Sequence, residues 1–236
     1  MMKMKLLLTA MAIVALATVS ASAGIIGELG ILDSSTGLNP GDQYRIAFLS
    51  TGTITGESAD IATYNAFVQG LATTAGLGGT WNIIGSTATV DARDNTGTNP
   101  TLDGIGVPVF LMDGTSLYAA DNADLWNGGN SIYLDIDENG DQVTSNVDRI
   151  IAGTMNDGTA HSWQFLGSIG DGGTQPPKVQ TGRADVNPNG WIQNFNVKTT
   201  DSKRVYALSD TLTAVPEPAT MLLLGLGGLV LRRRRA

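Results

Sequence analysis

The spacing of hydrophobic and polar residues changes several times along the chain, and each change predicts an element. Residues 43–51 (QYRIAFLST) alternate between the two kinds and are rich in aromatic and β-branched side chains, which predicts a β-strand. From residue 58 the apolar period lengthens to three and four, at Ile61, Tyr64, Phe67 or Val68, and Leu71. This period predicts an amphipathic helix over residues 58–77, with Ser58 as the N-cap and Asp60 in the first turn.

Turn signals divide the rest of the chain, up to residue 214, into short strands. Three segments each predict two strands joined by a tight turn: residues 107–120 around Asp113-Gly114, residues 130–143 around Asn139-Gly140, and residues 149–167 around Asp157-Gly158. Single strands are predicted at residues 80–86 and 204–210, and residues 87–106 predict a surface loop. One main helix followed by hairpins indicates an α+β domain with a mainly antiparallel sheet over residues 43–214.

Composition narrows the classes of protein that this domain can belong to. The chain has 236 residues, of which 30 are glycine, 42% are hydrophobic and only 15% are charged. This profile favours a domain rich in strands and loops over a helical bundle, and it leaves enough apolar residues for a packed core. There is no cysteine, which excludes disulfides, thiolate metal sites and a cysteine nucleophile.

Charge is distributed unevenly between the two ends of the chain and residues 24–214, which we call the body. The net charge is −8, but residues 24–214 contain 8 Lys and Arg against 21 Asp and Glu, a net of −13. An acidic body lacks the net positive charge that binds a phosphate backbone, so nucleic acid is excluded as an expected partner. Cations, cationic polymers and neutral polysaccharides remain open.

The first 23 residues have the pattern of a secretory signal peptide. A basic start is followed by an apolar stretch that is shorter than the ~20 residues needed to span a bilayer. Ala21 and Ala23 then occupy the two positions of the A-x-A pattern, which predicts cleavage by signal peptidase before Gly24. We therefore expect the mature protein to begin at Gly24, with residues 24–42 as a leader to the fold, and to work outside the cytoplasm.

The other end of the chain combines a short apolar segment with a basic cluster. Residues 219–231 would span about 20 Å as a helix, less than the ~30 Å of a bilayer core. The basic cluster that follows predicts a cytoplasmic stop, and it consists of Arg232, Arg233, Arg234 and Arg235. The prolines of Pro216-Glu217-Pro218 predict an extended, accessible stretch just before the segment. A short apolar segment that spans the membrane poorly, preceded by an extended and accessible stretch, is typical of transient retention in the inner membrane.

These C-terminal features resemble the PEP-CTERM sorting signal of bacterial envelope proteins. The resemblance covers residues 215–236 (VPEPATMLLLGLGGLVLRRRRA), with the Pro-Glu-Pro motif, the apolar segment and the arginine cluster in the family's order. It implies processing by a membrane-embedded exosortase at or near Pro216, Glu217 and Pro218. It also implies a place in the cell envelope, at the surface or outside the cell, associated with exopolysaccharide and biofilm.

One acidic segment in the body has the spacing of a calcium loop. Asp135, Asp137 and Asn139 fall at positions 1, 3 and 5 of a D-x-D-x-N-G pattern, and Asp141 follows. Hard oxygen ligands at this spacing suit Ca²⁺, which makes calcium a candidate cofactor. The alternative is a polar hairpin whose carboxylates face water, because Asn139-Gly140 is also a preferred turn and the twelfth position lacks the glutamate of an EF-hand.

Aromatic residues and the single histidine offer further candidates. Tryptophan could stack on sugar rings, although buried tryptophans are more common; the four are Trp81, Trp126, Trp163 and Trp191. Trp191, in the segment NPNGW, is the one we expect to be exposed and to bind ligand. His161 follows a predicted turn with no nucleophile motif in the chain, so we expect a surface position without a catalytic role.

The body also resembles, through short motifs, the endostatin-type branch of the C-type-lectin-like fold. The stretches that carry the resemblance are ADIATYNAF, GLGGTW, VPVFLMDGTSLYAADNADLWNG, GTMNDGT, TGRAD and YALSD. The cysteines that usually tie this fold together are absent, and so is a carbohydrate-specificity motif. The resemblance implies a fold and does not imply sugar binding.

Taken together, these patterns predict an exported, non-enzymatic component of the cell envelope or extracellular matrix. Its body would be structural, adhesive or polysaccharide-binding. The rival hypothesis is an extracellular glycan-acting hydrolase, because 21 acidic residues offer many pairs that could serve as acid and base.

Overall fold

The computed structural model describes residues 36–214, apart from residues 129, 131, 146–148, 171–175 and 186–189. The strands in this part of the chain are β1 (Gln43–Leu49), β2 (Trp81–Ile83), β3 (Val109–Leu111), β4 (Leu117–Ala119), β5 (Ile150–Ile151), β6 (Lys178–Gly182), β7 (Phe195–Lys198), β8 (Tyr206–Ser209) and β9 (Leu212–Thr213). The helices are α1 (Ile61–Thr74), α2 (Ala92–Asn95) and α3 (Asn122–Leu125).

Six of these strands form one sheet with β1 near its centre. The order is β2-β8-β1-β3-β4, and β9 pairs with the first residues of β1. β1 and β3 run parallel, whereas the other pairs of this sheet are antiparallel. β5, β6 and β7 form a second, antiparallel sheet. The expected α+β class with a mainly antiparallel sheet and one main helix is confirmed for the described residues.

Both faces of β1 are buried, because its alternate side chains enter two different hydrophobic clusters. Tyr44, Ile46 and Phe48 lie in the helix-side cluster, which also contains the buried residues of α1. Ala47 and Leu49 lie in the tryptophan-side cluster, which contains two of the four tryptophans. A strand that is covered on both faces has no polar side of its own, which explains why the predicted alternation gives way to four consecutive apolar residues at 46–49.

Helix α1 begins later than the sequence predicts, and a different residue caps it. The Asp60 carboxylate accepts a hydrogen bond from the Ala62 N–H at 3.0 Å, so the expectation that Ser58 is the N-cap is wrong. Asp and Ser are about equally good N-caps, and local pattern alone does not choose between them. The buried residues of the helix are Tyr64, Val68 and Ala72. The apolar stripe therefore passes through Val68, and Phe67 is only half-buried.

The outer edge of β2 is covered by side chains from α1 and α2. The Asn65 side-chain oxygen accepts from Ile83 N–H at 3.0 Å, and the Asn95 side-chain amide donates to the Ile83 carbonyl at 2.9 Å. One helical turn further, the Gln69 side-chain oxygen accepts from Trp81 N–H at 2.9 Å. These side chains satisfy the backbone groups that an edge strand would otherwise leave open to another chain.

The three predicted hairpins have different outcomes. The first is confirmed, since β3 and β4 pair across the turn at Asp113-Gly114. The second retains its turn at Asn139-Gly140 but only one bridge, between Ile136 and Gln142. The third has a turn at Asp157-Gly158 closed by a single bridge, while the strand that precedes it, β5, pairs with β6 instead.

The positions of several strands depend on partners that are distant in sequence. β8 confirms the predicted late strand, but it lies inside the sheet between β2 and β1. β6, β7 and β9 were not predicted, and residues 92–95 of the expected loop form the short helix α2. Among the described residues, no helix has the length and hydropathy that a membrane span requires. The C-terminal apolar segment, residues 219–231, lies outside the described residues.

Candidate functional site

The predicted processing sites at both ends fall outside the part of the chain that the structure describes. This applies to the expected signal-peptide cleavage site at Ala21, Ala23 and Gly24. It also applies to the sorting motif at Pro216, Glu217 and Pro218 and to the arginines that follow. The body residues that the sequence singles out are all described, and two pairs of them are in contact, Trp126 with Trp191 and His161 with Trp163.

Trp191 lies in the hydrophobic core, with 1% of its surface exposed. The expectation that it is the exposed tryptophan is therefore wrong. Its ring contacts three others in the tryptophan-side cluster, with centroid distances of 5.6 Å to Tyr118, 5.9 Å to Trp126 and 5.7 Å to Tyr206. The turn formers before it suggested a surface position, but burial is decided by the strands β4 and β8, which bring the two tyrosines onto this ring.

The polar ends of this aromatic cluster have no hydrogen-bond partner among the described residues. They are the hydroxyls of Tyr118 and Tyr206, the indole N–H of Trp191 and the side-chain amide of Asn130. Buried polar groups are almost always paired, so three such groups on one aromatic cluster, with Asn130 beside Tyr118 as a fourth, are unusual. By contrast, the Trp126 indole N–H donates to the carbonyl and hydroxyl oxygens of Thr98.

Burial and neighbouring charge keep both tyrosine hydroxyls of the cluster neutral. Burial raises the pKa of Tyr118 well above its usual value, and the nearby Tyr206 raises it further. Asn130 lowers it slightly, although no hydrogen bond of normal geometry joins the two side chains. Burial likewise raises the pKa of Tyr206, and the carboxylates of Asp185 and Asp135 add to this. These hydroxyls can donate or accept hydrogen bonds, but they cannot serve as bases at neutral pH.

The predicted calcium loop is a hydrogen-bonded turn in the structure. One Asp137 carboxylate oxygen accepts from the N–H groups of Asn139 at 2.8 Å and Asp141 at 3.1 Å. Asp135 accepts from the Gln142 side chain at 2.9 Å. No three His, Cys, Asp or Glu side chains of the described residues are grouped so that they could hold a metal ion. The carboxylates at this spacing therefore have a structural use that needs no metal.

Calcium binding at Asp135, Asp137, Asn139 and Asp141 stays a prediction, and melting of the protein tests it. If the loop binds Ca²⁺, the melting temperature rises when Ca²⁺ is added, because a ligand that binds only the folded state stabilises it. A chelator should reverse the rise. Equal melting temperatures with Ca²⁺ and with chelator would contradict the prediction.

Glu138, beside this loop, has a role that sequence reasoning missed. It is 4% exposed, and its carboxylate accepts hydrogen bonds from both the N–H (2.9 Å) and the hydroxyl of Thr51. These contacts tie the turn to the end of β1. A glutamate at a hairpin tip usually faces water, and only the position of Thr51 in the fold draws it inward.

Trp163 and His161 form the most accessible aromatic pair among the predicted candidates. Trp163 is the only one of the four tryptophans that is not buried. The His161 ring lies edge-on to it at 5.7 Å, and its Nδ1 accepts from Gln164 N–H at 3.2 Å. Burial lowers the pKa of His161, which favours the neutral ring that this hydrogen bond needs. The pair therefore forms a neutral, partly apolar surface, which suits contact with a neutral ligand.

Comparison with known proteins bears on the end of the chain. Residues 214–235 match the PEP-CTERM protein-sorting motif. The motif implies an exported protein that is processed by an exosortase at the cell envelope. No curated protein was found to match the chain. The C-terminal signal is thus shown, and the role of the body rests on its own residues.

Proposed function

We propose that the chain is an envelope or extracellular-matrix protein whose body, residues 24–214, is a non-enzymatic structural, adhesive or polysaccharide-binding module. The observation that carries the proposal is the sorting motif at residues 214–235, which marks an exosortase substrate. In this proposal signal peptidase removes residues 1–23, the inner membrane retains the chain transiently, and exosortase separates the body from its C-terminal segment.

The surface around Trp163 supports polysaccharide as the ligand class. A partly exposed indole offers a flat apolar face of the kind that packs on a neutral ring, and it can do so without an ionic partner. The acidic character of the body excludes polyanions as the preferred ligand, since like charges repel. Neutral exopolysaccharide is therefore the ligand that we propose. The resemblance to the C-type-lectin-like fold remains a hypothesis about the architecture, and the proposal does not depend on it.

Processing is tested on the full chain expressed with and without an exosortase. Mass spectrometry should find a C-terminus at or near Pro216-Glu217-Pro218 only when the enzyme is present. An intact Arg235 on the surface-exposed protein, in cells that contain the enzyme, would refute the processing.

Ligand binding is tested with the exported protein, purified after processing, on a panel of immobilised neutral polysaccharides. We expect retention without turnover, and we expect Trp163→Ala to weaken binding roughly tenfold, the loss that corresponds to ~1.4 kcal/mol at an aromatic contact. The matched variant Trp163→Phe keeps an aromatic face and should retain most of the binding. Release of shorter sugars that disappears on Asp or Glu substitution would instead support the glycan-acting hydrolase.

A further inference from the structure

The folded body continues almost to the sorting motif. Ala214 is 7% exposed, its N–H donates to the Asp42 carbonyl at 2.8 Å, and its carbonyl accepts from Gly41 N–H at 2.8 Å. Just before it, β9 pairs with β1, so that Leu212 lies opposite Tyr44. The match to the sorting motif begins at this same Ala214. The hydrogen bonds that hold the end of the described fold therefore involve the first residue of the matched signal.

The Pro216-Glu217-Pro218 motif lies too close to the described fold for an enzyme to bind it without also contacting the fold. Pro216 is two residues after Ala214, and two residues span at most about 7 Å, whatever their conformation. An enzyme that binds an extended peptide uses the main-chain groups of several successive residues. On the N-terminal side of the motif, these groups belong to residues 212–214. The N–H and C=O of Ala214 are already paired with Asp42 and Gly41, the two residues that immediately precede β1.

β9 is a part of the sheet that can detach at moderate cost. Within the described part of the chain, its two residues pair with Gln43 and Tyr44 alone. Its main apolar contact is Leu212, which is 8% exposed and packs in the helix-side cluster at the end of the sheet. Terminal segments with few contacts open far more often than the whole domain unfolds. Opening β9 would release residues 212–214 and leave β8 paired with β1 and β2.

We propose that β9 is part of what the exosortase binds, and that β9 leaves β1 before the chain is cut. The enzyme then binds residues 212–214 in addition to the motif, and the fold of the body limits the rate of its own processing. This inference rests on the proposed processing by exosortase. It adds a binding segment on the N-terminal side of the motif and a contact between the enzyme and the edge of β1.

A single cross-link tests the proposal. Gln43 and Thr213 are directly opposite in the register of β1 and β9, and both side chains are exposed. The neighbouring hydrogen bonds of Asp42 and Ala214 place them in a non-hydrogen-bonded pair, where the Cα atoms are about 4.5 Å apart, within the range of a disulfide. Because the chain has no cysteine, the pair Gln43→Cys and Thr213→Cys can form no other disulfide within the chain.

We expect the oxidised double variant to be processed at least roughly tenfold more slowly than the native chain, since every tenfold in rate corresponds to ~1.4 kcal/mol of added opening cost. Reduction of the disulfide should restore the native rate. The matched control is Lys178→Cys with Lys198→Cys, an opposite pair of the same kind in β6 and β7. This cross-link leaves β9 free, so the control should be processed at the native rate when oxidised.

A spacer provides a second, independent measurement. Inserting Gly-Ser-Gly-Ser-Gly-Ser between Ala214 and Val215 supplies extended chain without opening β9. We expect the spacer to restore processing of the oxidised Gln43→Cys, Thr213→Cys chain, which also shows that the cross-linked protein is folded and exported. Continued failure of the spacer variant would overturn the proposal, because slow processing would then have a cause other than closure of β9.

The native chain and the oxidised double variant together distinguish a wrong role for β9 from a wrong proposal of processing by exosortase, on which this inference rests. If the native chain keeps an intact C-terminus in cells with the exosortase, the proposed processing itself is wrong. If the native chain is processed and the oxidised double variant is processed at the same rate, processing stands and the role of β9 is wrong.

Discussion

Tyr118 and Tyr64 are two buried tyrosines whose hydroxyls differ in their hydrogen bonding. The Tyr64 hydroxyl donates to the Ser58 carbonyl at 2.9 Å, whereas the Tyr118 hydroxyl has no partner among the described residues. A buried hydroxyl without a partner costs about 1–3 kcal/mol, while a normal hydrogen bond contributes about 1 kcal/mol net. The same chemical change should therefore have opposite effects at the two positions.

We predict that Tyr118→Phe leaves the free energy of unfolding unchanged or raises it by up to ~1 kcal/mol, because it removes an unpaired polar group. The matched variant Tyr64→Phe should lower it by about 1 kcal/mol, because it breaks a hydrogen bond and leaves the Ser58 carbonyl unpaired. Urea unfolding of both variants measures the difference. A loss of stability in Tyr118→Phe as large as that in Tyr64→Phe would show that the Tyr118 hydroxyl is satisfied in solution, for example by a buried water.

At the level of elements, the contact between α1 and β2 explains how the sheet ends without an open edge. Asn65 and Gln69 are one helical turn apart, so their side chains reach successive groups of the same strand. Asn95 completes this cap of the strand edge, because its side-chain amide donates to the Asn65 side-chain oxygen at 3.0 Å and to the Ile83 carbonyl. The polar residues on this part of α1 are therefore components of the sheet.

We predict that Asn65→Ala lowers the free energy of unfolding by about 1–3 kcal/mol, because the N–H of Ile83 loses its acceptor while remaining part-buried. Asn196→Ala is the control. Asn196 is exposed on β7, and loss of a side chain at such a site changes stability by less than ~0.5 kcal/mol. Thermal or urea unfolding compares the two, and equal effects would contradict a specific role for the cap.

At the scale of the whole molecule, the buried tyrosines make stability depend on alkaline pH. Burial raises the pKa of Tyr44 and of Tyr64 to about 12, and it raises the pKa of Tyr118 and of Tyr206 still more clearly. In the unfolded chain these groups ionise near pH 10. Between the two values the unfolded state loses protons that the folded state keeps, so alkali favours unfolding.

We therefore predict that the free energy of unfolding is independent of tyrosine ionisation below about pH 10 and falls as the pH rises toward 12. Absorbance of tyrosinate and circular dichroism, followed together in an alkaline titration, measure this dependence. The ionisation of the buried tyrosines should coincide with loss of structure. Tyrosinate formation by all five tyrosines near pH 10 in a protein that stays folded would contradict the prediction.

The features that the sequence predicted correctly depend on short-range interactions. The period of three and four predicted α1, and Asp113-Gly114 predicted the hairpin of β3 and β4, because helices and tight turns form between neighbours in the chain. β6 and β7 were missed, since KVQTG and FNVK are only five and four residues long and gain their strand structure from each other and from β5. The hydrogen bond from Ile83 on the edge strand β2 to Asn65 was also missed, because it depends on how α1 packs against the sheet.

Export and sorting are the properties of this protein that can be predicted without its fold. Enzymes read such signals as short linear segments, so composition and order are sufficient, and the motif at residues 214–235 bears out the C-terminal one. The burial of Trp191, the accessibility of Trp163 and the pairing of β9 with β1 are properties of the fold. Burial and strand pairing depend on residues up to about 170 positions apart, which is why the fold had to place them.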